Sequence, residues 1–339
     1  MTTIKDIAKI TGFSPATISR VLNEDESISV KDSTRQEILK VAEDLAYVSK
    51  KKFLKKEETI GVVQWISSDA EIEDPYYSSL RLAVESFFVK EKIPTKIYYK
   101  ENFEEIFQDK NILGLVCLGK FSLDQAHDFY KVSKNLVFVD FNPDEKHFHS
   151  VVPDLKGATE DLLAYLKEMG HREIGFIGGR ERLGKTNSLF IDIRERTFEQ
   201  VMKNDGHFIY NPIYKKVRDF DAATGYDLMT SILKDDHVPT AFICASDSLA
   251  MGALRALGDQ KNLAREKISI VGYNDIGLSA FTNPPLTTVK INIKQMGDMA
   301  GTLMTYIMKN KLSSPVNIFV KTELVERESV YKLDQVDVI

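Results

Sequence analysis

The 339-residue sequence has only two cysteines, a single tryptophan and no apolar run of the eighteen or so residues a bilayer span requires. Cys117 and Cys244 each sit inside an apolar stretch with no neighbouring cysteine. That excludes a disulfide scaffold and points to buried thiols in a reducing compartment. The opening MTTIKD is polar and lacks the apolar segment of a secretory leader, so a cytoplasmic protein without membrane attachment is expected. No charge of one sign dominates: 45 Lys and Arg face 50 Asp and Glu. A uniformly basic nucleic-acid-coating protein is thereby excluded, and any DNA affinity must come from a local patch. Catalytic signatures are missing too. The six histidines form no HExxH, no G-x-S-x-G, Walker A or G-x-G-x-x-G occurs, and Gly178-Gly179 reads as a strand-end turn. No catalytic residue, metal or cofactor is assigned.

What is present begins with three short helical patterns in residues 3 to 46. Thr3 and Asp6 have the spacing of a reciprocal cap before Ile4, Ile7, Ala8 and Ile10, and Gly12 ends the pattern. Ser14 caps a second helix with Pro15 at its first position, where the missing N–H costs nothing. Ser33 and Gln36 repeat the capping spacing before Ile38, Val41, Ala42 and Leu45. Helix, tight turn and helix place the second helix in a DNA major groove. On it Arg20 suits a bidentate contact to guanine, and Pro15 and Ala16 an apolar contact such as a thymine methyl. Thr3, Ser14, Thr17, Ser19, Asn23, Ser29 and Thr34 suit phosphate oxygens, which set register without reading sequence. Lys50, Lys51, Lys52, Lys55 and Lys56 then form a basic linker, residues 47–58.

From Thr59 the pattern changes to apolar runs of strand length alternating with amphipathic helices. IGVVQWI (60–66), TKIYY (95–99), ILGLVCL (112–118), LVFVDF (136–141), EIGFIG (173–178), TAFICA (240–245) and ISIVG (268–272) are the strands. Continuous apolar strands separated by helices predict parallel sheets covered on both faces. There are too many for one sheet, so the expectation is an α/β core of two doubly wound lobes. Lobe 1 is residues 59–154 with 287–316; lobe 2 is residues 155–286 with 317–332. The helix at about 292–310 is assigned to the first lobe and the strand NIFVKTELV (317–325) to the second.

KDIAKITGFSPATISRVLN resembles the headpiece of the LacI/GalR family of bacterial transcription repressors, and the resemblance runs along the whole chain. DPYY (74–77), FIGG (176–179), ASDSLAMGALRAL (245–257), ISIVGYND (268–275), PPLTTV (284–289) and LVERES (324–329) fall in family order. It implies a periplasmic-binding-protein-like core, a homodimer, a palindromic operator and a small effector. Details of EIEDPYY and FTNPPLTTV resemble repressors of galactose and β-galactoside operons, which implies such a sugar. The sequence departs from the family at the linker, where Ser49 stands in place of proline and no Ala-Arg pair follows. Phe53 or Leu54 remains available as a minor-groove wedge, and the lysines as an electrostatic clamp.

Ligands of doubly wound lobes bind at the carboxyl ends of strands. The candidates there are Asp74, Tyr76, Tyr77, Asp140, Arg194, Phe220, Ser246, Asp247, Asn274 and Asp275. Aromatic faces suit sugar C–H surfaces, and an Arg fork suits vicinal hydroxyls. Arg194 is preferred to Arg196 because Phe198 then takes the family's aromatic place. Phe220 suits core packing equally, one of Tyr76 and Tyr77 suits it as well, and Asp247 and Asp275 suit helix capping or a bridge between the lobes. The alternatives are a catabolite-type regulator using a phosphorylated carrier protein, a secreted sugar-binding protein, and an enzyme on the same fold. The last two lack their required signals. The absence of apolar heptads near Ile339 predicts no tetramerising helix.

Overall fold

Capped amphipathic segments become helices α1 (Ile4–Thr11), α2 (Pro15–Leu22) and α3 (Asp32–Asp44). The Thr3 backbone N–H and hydroxyl both donate to Asp6 Oδ2, at 2.8 and 2.7 Å. Gly12 closes α1 with φ of 75°, a left-handed conformation glycine adopts without a Cβ penalty. Ser14 Oγ accepts from the Thr17 N–H at 3.1 Å and caps α2. Ile7, Ile18, Val21, Ile38 and Ala42 bury one face of each helix in a shared core. Ile10 is exposed, and α3 starts at Asp32, so Ser33 lies in its first turn rather than at its cap.

The computed structural model describes residues 3–22, 30–45, 58–73, 75–179, 181–184, 188–209, 214–217, 220–259, 268–310 and 312–333. Asn23, Ser29, Asp74 and the linker residues Tyr47, Ser49, Lys50, Lys51, Lys52, Phe53, Leu54, Lys55 and Lys56 lie outside them. The chain divides into two units, Met1–Glu58 and Thr59–Ile339.

In the larger unit the strands are β1 (Thr59–Gln64), β2 (Thr95–Tyr98), β3 (Ile112–Leu118), β4 (Leu136–Val139), β5 (His149–Pro153), β6 (Ile174–Gly179), β7 (Glu181–Leu183), β8 (Ser188–Phe190), β9 (Tyr214–Val217), β10 (Ala241–Cys244), β11 (Ser269–Asn274), β12 (Thr287–Lys290), β13 (Asn317–Val320) and β14 (Glu323–Val325). Its helices are α4 (Ser68–Glu73), α5 (Pro75–Lys90), α6 (Leu123–Val132), α7 (Leu155–Glu168), α8 (Ile193–Asn204), α9 (Ala222–Ile232), α10 (Asp247–Gly258) and α11 (Ile293–Lys309), with 3-10 turns at Lys100–Gln108 and Ser279–Phe281. One sheet has the order β13-β5-β4-β3-β1-β2 and the other β14-β12-β11-β10-β6-β9. All ladders of these two sheets are parallel except the antiparallel β12–β14 pair. The central strands β3, β4, β6 and β10 are buried on both faces, as their unbroken apolar runs require.

The expected lobe boundaries need two corrections. Thr287–Lys290 pairs with β11 and so belongs to the second lobe, and the crossing to the first comes after it. NIFVKTELV is two strands: Asn317–Val320 pairs parallel with β5 in the first lobe, and Glu323–Val325 pairs with β12 in the second. Three segments therefore cross between the lobes, at Asp154, at Ile291-Asn292 and at Lys321-Thr322. The first and third are tied together: the Asp154 N–H donates to Val320 O at 2.9 Å, and Lys321 Nζ lies 2.6 Å from Asp154 Oδ2. Helix α11 packs on the first lobe as expected, its Met296, Ala300, Leu303 and Met304 sharing a core with α5 and β1.

Candidate functional site

On the helical unit, Pro15, Ala16 and Arg20 are exposed on α2, while Ile18 and Val21 on its opposite face are buried. The packing of α2 thus leaves a side free for a groove. Of the expected phosphate contacts, Thr3 and Ser14 are exposed, and Thr17, Ser19 and Thr34 are half-buried. Several of these hydroxyls are already engaged. Thr3 Oγ1 donates to Asp6, and Ser14 Oγ lies 2.9 Å from Thr17 Oγ1.

In the larger unit, the carboxyl ends of β1, β3 and β4 in one lobe face those of β6, β10 and β11 in the other across a cavity of about 550 Å³. That volume is within the range of small-molecule sites. Tyr76, Tyr77, Asp140, Arg194, Phe220, Ser246 and Asn274 all line it. Asp140, at φ of 77° just beyond β4, accepts from the Tyr76 hydroxyl at 2.5 Å and the Tyr77 hydroxyl at 2.8 Å. The two tyrosines therefore both wall the cavity and orient a carboxylate into it. Burial and the nearby Asp140 charge hold the Tyr77 hydroxyl well above the usual tyrosine range, so it stays protonated and donates.

Arg194 enters from the first turn of α8. Its Nε and Nη2 donate to Asp192 Oδ1 and Oδ2 at 2.9 and 2.6 Å, and Nη1 donates to Ala245 O. Three of the guanidinium's five N–H groups are thus used. Burial opposes the charge on both members of the pair, but each is held ionised by the other, so Asp192 lies below the carboxylate range and Arg194 above its own. Ser246 caps α10 by accepting from Leu249 N at 3.2 Å and donates to Phe220 O at 3.3 Å, fixing the Phe220 backbone against the cavity.

Asp247 and Asp275 are corrections, because neither lines the cavity. Asp247 is fully buried inside the second lobe, where its carboxylate accepts from Thr288 Oγ1 at 2.5 Å, Ser279 Oγ at 2.6 Å and the Ile276 N–H at 2.8 Å. Asp275 is paired with Arg327 at 2.6 Å. Both side chains join segments within one lobe.

Sequence reasoning missed Trp65, Lys120, Phe141, Glu181, Phe190 and Asp192, all of which line the cavity. Trp65 and Lys120 follow β1 and β3, so the strand-end rule applied more fully reaches them. Gly119, at φ of 97°, leaves room for Trp65: a Cβ there would lie 1.8 Å from the indole Cδ1. Glu181 and Phe190 sit on the antiparallel β7–β8 pair, a short insertion after β6 with no pattern of its own in the sequence.

The sequence pattern of bacterial regulatory proteins of the lacI family matches residues 3–50, and that of a periplasmic binding protein-like domain matches residues 163–330. The HTH-type transcriptional regulator GanR of Bacillus subtilis is 36% identical over 97% of this chain and 100% of its own length. The HTH-type transcriptional regulator GalR of Lacticaseibacillus casei is 33% identical over 97% of this chain and 99% of its own. The fold is similar to that of the lac repressor dimer bound to operator and the anti-inducer ONPF, with a TM-score of 0.75 at 21% identity, covering 97% of this chain and 99% of that one.

Proposed function

This chain belongs to the lacI family of bacterial regulatory proteins, and on that premise we propose that it represses a sugar-utilisation operon under the control of a sugar bound between its lobes. It is a DNA-binding transcription regulator and not an enzyme. We assign base reading to Arg20, Pro15 and Ala16, and phosphate contact to Thr3, Ser14, Thr17, Ser19, Asn23, Ser29 and Thr34. The linker lysines and Phe53 or Leu54 provide a clamp or wedge. Among the described residues no helix is long and apolar enough to cross a membrane. A cytoplasmic site of action follows from the reading of the chain as an operator-binding regulator. The protein acts as a homodimer whose two headpieces occupy successive major grooves of a palindrome.

The effector is galactose or a β-galactoside, held by Tyr76, Tyr77, Asp140, Arg194, Phe220, Ser246 and Asn274, and we assign Asp74 to the same role. Asp140 retains lone pairs for sugar hydroxyls, Arg194 retains two N–H donors, and aromatic faces cover the apolar side of the ring. A sugar that binds one lobe arrangement better than the other shifts the population of the DNA-binding state. The observation that carries the regulatory reading is α2, buried along one face and presenting Arg20 on the other. Arg20→Ala is expected to cost about 1–3 kcal/mol of discrimination between a cognate site and scrambled duplex at fixed salt. An unchanged ratio of the two affinities removes the assignment of Arg20.

A further inference from the structure

Where the lobes meet, a lysine of one lobe inserts among side chains of the other. Lys120 follows β3 in the first lobe, and its Nζ lies 2.5 Å from Oε2 of Glu181 on β7 and 3.9 Å from Asp192 Oδ2. Both acids are carried by the second lobe. The Lys120 and Glu181 side chains are 10% and 9% exposed, so the pair is nearly removed from water. Three rings surround the ammonium, with centroids at 5.0 Å for Phe220 and 5.4 Å for Phe190 and Trp65. Beside it Phe190 meets Phe141 of the first lobe edge-on at 5.1 Å.

The second-lobe wall of the cavity is arranged against anions. In that lobe four helices, α7 to α10, begin at it, and a bare helix N-terminus is a ready phosphate site. Here each is occupied by its own cap. Asp154 accepts from Gly157 N, Asp192 from Arg194 N, Asp221 from Thr224 N and Ser246 from Leu249 N. Three of the four caps are carboxylates. Of the other cations that line the cavity, Arg194 is bound to Asp192 on two of its nitrogens, Lys156 lies 3.8 Å from Glu160, and Lys156 and Arg196 are exposed to solvent.

We propose that Lys120 and Glu181 form a cross-cleft latch that holds the lobes together and cancels the charge a phosphate would need, so that the cavity takes an uncharged polar ligand and rejects phosphorylated ones. This rests on the reading of the cavity as the effector site. Breaking a buried pair from one side leaves an uncompensated charge, which opens to water or recruits a counter-ion. Glu181→Gln keeps the shape and strips the nearer of two carboxylates from Lys120, whereas Lys120→Met keeps the apolar stem among the rings and removes the cation.

The test uses the full chain, with inorganic phosphate as the anion and the emission of Trp65, the only tryptophan, as the readout. Circular dichroism confirms that each variant folds. The wild type is expected to show no saturable response to phosphate, and Glu181→Gln to acquire one at least tenfold stronger than any in the wild type. Lys120→Met is expected to acquire none, while small-angle scattering shows a larger radius of gyration for both variants. Saturable phosphate binding by the wild type overturns the proposal. So do variants that match the wild type in emission, scattering and phosphate response. In a parallel titration, lactose is expected to bind at least a hundredfold more tightly than lactose 6-phosphate. If no sugar of the panel binds while the phosphate results hold, the effector assignment fails and the latch stands.

Discussion

At the scale of single residues, two buried titratable groups in the second lobe pull stability in opposite directions with pH. Burial pushes His171 down to about 4. The folded state then refuses a proton that the unfolded chain accepts below about 6.5, so stability falls as the pH drops from 6.5 to 4. Burial pushes Asp247 up to about 6, despite the three groups that donate to it. Its folded state takes a proton before the unfolded chain does, so stability rises as the pH drops from 6 toward 3.8. Each effect has a ceiling of about 3 kcal/mol, and in the wild type the two largely cancel between pH 6 and 4. Denaturant unfolding across that window is expected to show His171→Gln gaining stability on acidification and Asp247→Asn losing it. Parallel slopes for all three proteins would dismiss both assignments. The role of Asp247 was the least legible in the sequence. Its place right after a strand matched the rule for ligand residues, and only packing against Ser279 and Thr288, more than thirty residues away, shows it turned into the lobe.

At the scale of elements, α2 has two tasks at one residue. Ser14 caps the helix, and it is also assigned to a phosphate. Ser14→Ala conflates the two, since losing a cap costs about 1 kcal/mol by itself. Ser14→Asp separates them, because aspartate caps as well as serine yet repels a phosphate. Melting of the headpiece is expected to stay within about 0.5 kcal/mol of wild type, while DNA affinity falls by a similar factor on cognate and scrambled duplexes. An affinity equal to wild type would place Ser14 away from the backbone. The helices of this unit were legible because caps, the left-handed glycine and apolar spacing are local signals that agree. The strands β5, β9 and β12 were not. His149–Pro153 and Tyr214–Val217 are short and mixed in polarity, and they become strands through a neighbour's backbone rather than through their own pattern.

For the whole molecule, the two-lobe arrangement makes ligand binding a global stabiliser. A sugar at a hundred times its dissociation constant is expected to stabilise the chain by about 2.7 kcal/mol, read as a thermal shift against galactose, lactose and other β-galactosides. A blank across that panel would discard the effector while leaving the regulator. Sedimentation at micromolar concentration is expected to give a dimer, and a tetramer or a monomer would contradict the proposed operator geometry. The family resemblance runs the length of the chain, so the order of domains was readable from end to end. The second and third crossings between lobes were placed wrongly because apolar periodicity says that a segment is a strand without naming its partner.

The sequence alone determined the three headpiece helices, the place of Arg20 on the second of them, and the alternation of apolar strands and helices that makes two doubly wound lobes. These depend on spacing along the chain, and spacing is visible in one dimension. Only the tertiary structure decided that NIFVKTELV serves both lobes, that Asp247 and Asp275 are bound up inside one of them, and that Lys120 reaches across to Glu181. Those outcomes depend on which distant backbone supplies a hydrogen bond or a counter-charge, and no local pattern records that choice.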